Sequence, residues 1–205
     1  MVELVLDEKD IIRINKLLAN LSPKKQDGAI YQGLMKGCNA VLGQLVSNVR
    51  GIILKRRTGY LANSMGWRTQ RDDKGNWEGI IGSGATLKTE RMIYANIHEV
   101  GGIINAKPGK ALAIPIGEAL TPAGVARFKP RQITSVGYED SFIRGRKGGN
   151  AILFGLLKGK AIPLFVLVKS VTIPARKYMT ITAEQTAGKV GEAIISKIKE
   201  VAEAK

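Results

Sequence analysis

The chain has 205 residues, with 32 Lys and Arg against 17 Asp and Glu, a net charge of +15, and 44% hydrophobic residues. That composition excludes intrinsic disorder, and the length suits one compact domain over residues 1–205. No run approaches the ~18 apolar residues of a membrane span, and with Cys38 as the only cysteine neither an intrachain disulfide nor a thiolate zinc cluster can form.

From Asp7, a suitable N-cap, Ile11, Ile14, Leu18 and Leu21 fall at helical spacing before Ser22-Pro23 stops the run. This predicts a short first helix. Ile30, Leu34, Cys38, Val41, Leu45, Val49 and Ile52 then make one stripe, predicting a continuous helix from 26 to 55, roughly 40 Å long at ~1.5 Å per residue. Gly33, Gly37, Gly43 and Gly51 lie inside it, each costing up to about 1 kcal/mol relative to alanine. Another surface must therefore come very close to hold the helix together.

Trp67 to Thr69 and Trp77 to Ile81 predict a hairpin across Asp72-Asp-Lys-Gly75. Ile103-Ile104, Ala111 to Ile116, Ala151 to Leu157 and Ile162 to Val168 add strands, so the middle of the chain reads as a mostly antiparallel sheet. Residues 117–150 carry Arg127, Lys129, Arg131, Arg144, Arg146 and Lys147 among prolines and glycines, and read as a long basic arm or loop that orders on assembly. Thr182-Ala-Glu-Gln185 reads as a capping box opening a terminal helix, whose stripe is Ala183, Ala187, Val190, Ile194, Ile198 and Val201. The expected class is α+β: helices over 1–57, a sheet with a basic insertion over 58–176, and a C-terminal helix over 177–205.

The reactive side chains give little support to catalysis. His98 is the only histidine, and no Gly-x-Ser-x-Gly elbow accompanies it. Cys38 lies on the apolar stripe, where a small buried residue is expected. Asp72, Asp73 and Glu78 could be assembled around magnesium, but turn chemistry alone accounts for Asp-Asp-Lys-Gly. Gly82-Ser-Gly84 followed by Lys88 lacks phosphate-loop spacing. No catalytic residue, cofactor or metal is expected. The positive charge could neutralise phosphates, which keeps a basic DNA-binding packaging or condensation protein as the alternative. With 5% aromatic residues the chain offers no obvious stacking platform.

Three segments bear on function together: Thr58-Gly-Tyr-Leu-Ala-Asn-Ser64, Tyr94-Ala-Asn-Ile-His98-Glu-Val-Gly-Gly102 and Val171-Thr-Ile-Pro-Ala-Arg176. In this order, between a long helix and a final helix, they resemble the tail-completion and virion-morphogenesis proteins of tailed bacteriophages, the group that includes the G-like protein of phage Mu. The resemblance spans residues 26 to 200; Tyr178 stands where such proteins often have Pro-Phe. Thr58, Gly59, Gly101, Gly102 and Pro174 are expected to shape the backbone at element ends, and Tyr94 and His98 to share one turn of helix ended by Gly101.

The resemblance implies a structural, non-enzymatic subunit of the virion neck or head-proximal tail, assembled in the host cytoplasm. It would act as a homo-oligomeric ring, expected to be a hexamer, docked to connector, neck or tail-tube proteins. Non-specific contact with packaged DNA is possible in such a place, and no membrane is involved. Arg127, Arg131, Arg144 and Arg146 are the expected partner contacts, with Tyr94, His98 and Arg176 as positioning residues. The sequence around Met1 lacks the basic start and long apolar stretch of a signal peptide, in keeping with cytoplasmic synthesis.

Overall fold

The computed structural model describes residues 8–55, 57–84, 92–145 and 149–204, and the side chains of all of these except 92–94. The class is α+β, with antiparallel sheets, a long N-terminal helix and a C-terminal helix. The chain divides into two compact units, Met1–Val100 with Ala175–Lys205, and Gly101–Pro174.

The first unit is built on α2 (Pro23–Ser47), preceded by α1 (Glu8–Leu18). Pro23 suits the first helical position because its missing N–H has no intrahelical partner there. The expected close surface is α6 (Lys189–Glu203). A Cβ at Gly33 would lie 2.5 Å from the Ile194 Cα, and one at Gly37 2.9 Å from the Val190 Cα, so these two glycines set the helix spacing. Gly43 and Gly51 meet nothing within 4 Å and play no part in it. Ile14, Ala29, Ile194, Ile195 and Ile198 close the core between α1, α2 and α6.

On its other side α2 receives the hairpin of β1 (Met65–Arg71) and β2 (Trp77–Ser83). Asp27 of α2 accepts hydrogen bonds from the Trp77 indole at 3.0 Å and Arg71 at 2.6 Å. The Arg71 guanidinium also lies over the Trp77 ring, 4.1 Å from its centroid. The helix does not run unbroken to residue 55. α2 ends at Ser47, and a π-helical turn, Asn48–Ile52, follows with Gly51 outside helical geometry. There the N–H groups of Ile53 and Leu54 both reach the Asn48 carbonyl, at 2.9 and 3.1 Å.

The C-terminal stretch also differs from expectation. Thr182 does not start a helix; it sits within α5 (Tyr178–Thr186), and the chain breaks at Gly188, φ +82°, before α6. The hydroxyl of Thr182 donates to the Tyr178 carbonyl at 2.7 Å, the back-bonding open to threonine inside a helix. Two further helices complete the unit: α3 (Tyr60–Asn63), entered through Gly59 at φ +78°, and α4 (Met92–Val100), followed by Gly101 at φ +74°.

In the second unit β3 (Gly102–Asn105) pairs antiparallel with β8 (Ser170–Ile173). A four-stranded antiparallel sheet has the order β4-β7-β6-β5, made of β4 (Leu112–Pro115), β5 (Asp140–Arg144), β6 (Ala151–Leu157) and β7 (Lys160–Val168). Lys158 and Gly159 turn β6 into β7 with φ of +49° and +72°, the twist that a tight hairpin needs. Of residues 117–150, read from sequence as a basic loop, the stretch 117–144 runs through three short 3-10 turns and then β5, and 146–148 lie outside the described residues. Ala119 and Ile133, 0% and 1% exposed, anchor this stretch to Leu153, Leu164 and Phe165.

Candidate functional site

The parts of the three motif segments that belong to the first unit, residues 58–64, 94–100 and 175–176, lie on or beside α3, α4 and α5. The end of α4 and the start of α5 are tied through their backbones: Arg176 N–H donates to the His98 carbonyl at 2.9 Å, and Lys177 N–H to the Glu99 carbonyl at 3.1 Å. Lys177, φ +49°, turns the chain into α5 without a side-chain cap of its own. The cap comes from Glu99. One carboxylate oxygen accepts the Met179 N–H at 2.7 Å, and the other accepts the Thr180 N–H at 3.1 Å and the Thr180 hydroxyl at 2.7 Å. A carboxylate at this end of a helix satisfies orphan donors and complements the helix dipole.

Tyr178 brings in the remaining segment. Its ring is fully buried with Leu45, Val49, Leu54, Ala62 and Met65, and Leu61 packs against the same cluster. Its hydroxyl donates to the Ala95 carbonyl of α4 at 3.2 Å. Burial, and secondarily the Glu99 charge, push the phenol far above its ordinary range, so it stays a neutral donor. Tyr178 thus touches the segment around 58–64 and the Ala95 turn of α4, while Arg176 is tied to the same α4 through His98. Ser64 adds a link to the hairpin through Ser83, hydroxyl to hydroxyl at 2.7 Å.

A polar network runs beside this junction. The Asn48 amide, fully buried, donates to the Thr182 hydroxyl and to Gln185 Oε1, each at 2.8 Å, while Gln44 donates to Asn48 at 3.2 Å. Buried amides are tolerable only when satisfied in this way. Among the described residues, no buried side-chain nitrogen or oxygen lacks a partner.

The other sequence-selected residues fall in different settings. His98 is half-buried on α4, and burial followed by the neighbouring Arg176 charge holds its imidazole below the ordinary range, hence neutral near pH 7. Arg176 is exposed, and what it supplies is this charge and its backbone bond. The side chain of Tyr94 and all of Arg146 lie outside the described residues. Arg127, Arg131 and Arg144 belong to the second unit. Arg127 donates from Nε to the Leu120 carbonyl at 2.8 Å, and with Glu118, Phe128, Val136 and Tyr138 lines an open cavity of about 460 Å³. Arg131 is exposed on a 3-10 turn, and Arg144 ends β5.

Cys38 packs onto β2, where a Cβ on Gly79 would come within 2.6 Å of its sulfur; burial pushes its thiol up to about 11. Such a thiol is a poor nucleophile. Asp72 organises the hairpin turn, accepting the N–H groups of Lys74 at 2.9 Å and Asn76 at 2.7 Å. Among the described residues no group of three or more His, Cys, Asp or Glu could hold a metal ion, and no helix is long and apolar enough to cross a membrane.

Sequence reasoning gave no role to Glu99 or Asn48, and named Tyr178 without one. One signal for Glu99 was available: α5 begins Lys-Tyr-Met-Thr with no Ser, Thr, Asp or Asn at its cap position, so its first donors had to be satisfied from elsewhere in the chain. Comparison with family models, curated proteins and solved structures finds no match to this chain.

Proposed function

We propose that this chain is a structural protein of a tailed-phage virion, placed at the neck or the head-proximal end of the tail, where it completes or joins head and tail. The observation that supports this reading is the way Tyr178, Glu99 and the Arg176–His98 bond join the parts of the motif segments that belong to the first unit. Their residues serve as caps, left-handed glycines and apolar contacts rather than as an array of nucleophile, base and acid. A building block needs a stiff module of this kind.

In this proposal the protein works as a non-enzymatic, hexameric ring that docks to connector, neck or tail-tube proteins. Specificity comes from shape, with charge steering the encounter. Arg127, Arg131, Arg144 and Arg146 are its partner contacts, and the protein's location is the virion after assembly in the host cytoplasm. Deleting the gene is expected to leave filled heads and separate tails, and electron microscopy is expected to place the protein at the neck or head-proximal tail. Normal infectious particles lacking the protein would overturn the reading.

One observation favours a second reading, a basic DNA-binding packaging or condensation protein. Gly101–Pro174 holds eleven Lys and Arg against three Asp and Glu, a balance of +8 on 74 residues. If this charge serves DNA, gel-shift affinity should be measurable near physiological salt and fall steeply as salt is raised. Absence of binding near physiological salt removes this alternative.

A further inference from the structure

The four-stranded sheet ends on β5, and among the described residues no strand pairs with its outer edge. An open edge offers N–H and C=O groups to any strand that fits; on β5 the Ser141 N–H already donates to Asp140 Oδ1 at 2.7 Å, a local bond that an added strand exchanges for its own. The edge here is Asp140-Ser-Phe-Ile-Arg144, with an acid at one end, a base at the other and an aromatic ring at the centre. Alternation places Asp140, Phe142 and Arg144 on one face and Ser141 and Ile143 on the other. Phe142 and Ile143 are 40% and 63% exposed. The Phe142 ring also stacks on Phe154 of β6, with centroids 5.4 Å apart and planes 11° from parallel.

We infer that β5 is a self-complementary edge on which a second copy of this chain docks by antiparallel strand addition, about a two-fold axis at Phe142. In that register Asp140 of each copy stands opposite Arg144 of the other, Ser141 opposite Ile143, and Phe142 opposite Phe142. Two opposite-charge pairs then flank one aromatic pair on a single face, and cross-strand pairs of these kinds are favourable. The rings of Phe154 and Phe142 from both copies form one continuous row. A slip of two residues separates both Asp140–Arg144 pairs and the aromatic pair at once.

The occupant follows from the same residues. The second unit is strongly basic, yet the charges of β5 cancel, so this edge is not suited to a polyanion; its complement is its own reversed sequence. This inference does not depend on the virion role. With only five residues a side, the surface is smaller than the ~1,200 Å² of a standard stable interface, so the association is weak and concentration-dependent.

The test is sedimentation of the whole chain from about 10 to 500 µM at about 150 mM salt, a range chosen for a weak interface. A closed, concentration-dependent two-fold association is expected, of single copies or, where the ring of the proposed function forms, of two rings. Asp140→Arg or Arg144→Asp alone should weaken it about tenfold or more, because each places like charges opposite each other. The double variant D140R/R144D restores both pairs with the signs exchanged and should recover the dimer. In a C38A/F142C chain the new thiols face each other at ~4.5–5.5 Å between Cα atoms, within disulfide reach, and oxidation should give a covalent dimer. Circular dichroism checks that each variant is folded. No two-fold association at the highest concentration, open higher oligomers, an association indifferent to the single charge reversals, or a folded double variant that does not regain it would each overturn the inference.

Discussion

Replacing Glu99 by alanine removes the side chain that, among the described residues, caps α5. Three hydrogen bonds to a carboxylate are lost, to Met179 N–H, Thr180 N–H and the Thr180 hydroxyl. In a dry core each would be worth about 1.5–3 kcal/mol. Glu99 is only half-buried, however, so water re-solvates the freed donors and the benchmark is a lost N-cap, about 0.5–2 kcal/mol. The lost dipole interaction adds about 0.3–1 kcal/mol. A total of about 1–3 kcal/mol corresponds to a fall of about 2–12 °C in Tm for a chain of this size. Glu99→Gln keeps one acceptor but turns an NH2 group toward a backbone N–H, so about half the loss is expected. Thermal unfolding followed by circular dichroism gives Tm, and hydrogen exchange at Met179 and Thr180 localises the effect. A Glu99→Ala chain that melts within about 1 °C of the parent and keeps full protection at both amides would refute the capping role, since both shifts derive from it.

The helix contact predicts opposite signs for chemically identical changes. Gly33→Ala drives a methyl against the Ile194 backbone at 2.5 Å and should cost more than about 2 kcal/mol, whereas Gly43→Ala, with open space, should stabilise by about 0.5–1 kcal/mol in urea unfolding. Cys38 should resist a thiol reagent at pH 8 in the folded chain and react fully in urea. Because burial raises its thiol to about 11, the folded state holds that proton more tightly; the associated stability is complete below the ordinary thiol range and is lost as pH climbs toward 11. His98 should titrate below the ordinary imidazole range by NMR, and Arg176→Ala should move it part of the way back, since burial is the larger cause. Here the folded state binds the proton less readily than the unfolded one, so the contribution is complete above the ordinary imidazole range and is lost as pH falls.

The helices were legible in the sequence wherever apolar spacing reported one buried face. The closeness of α2 to its neighbour could be read from Gly33 and Gly37, but glycine type alone did not separate them from Gly43 and Gly51, because the difference lies in what α6 places opposite. Thr182 misled for a related reason: a threonine followed three residues later by glutamine has the form of a capping box, while its actual hydroxyl partners are Asn48, 134 residues away, and the Tyr178 carbonyl. β5 looked like loop because five residues with a charge at each end show too little alternation to announce an edge. The Glu99 cap was illegible for the same physical reason, since it acts on an amide 81 residues later.

The position of the junction gives these residues a second consequence. Gly101–Pro174 leaves the chain immediately after His98, Glu99 and Val100 and rejoins it immediately before Ala175, Arg176 and Lys177. The bonds from Arg176 to His98 and from Lys177 to Glu99 therefore close the stem of a 74-residue insertion. Within the second unit, Gly102 pairs with Ile173 in the β3–β8 ladder. Bringing the ends of such a segment together costs entropy that grows only slowly with its length, so a handful of hydrogen bonds and a buried tyrosine can hold it. Length and charge can then change inside the insertion with little effect on the first unit, provided the two stem segments keep the left-handed glycine, the Glu99 cap and the ring of Tyr178. The Glu99 cap and the Tyr178 ring thus act on the two stem segments, and the proposed edge of β5 lies in the insertion rather than in the stem.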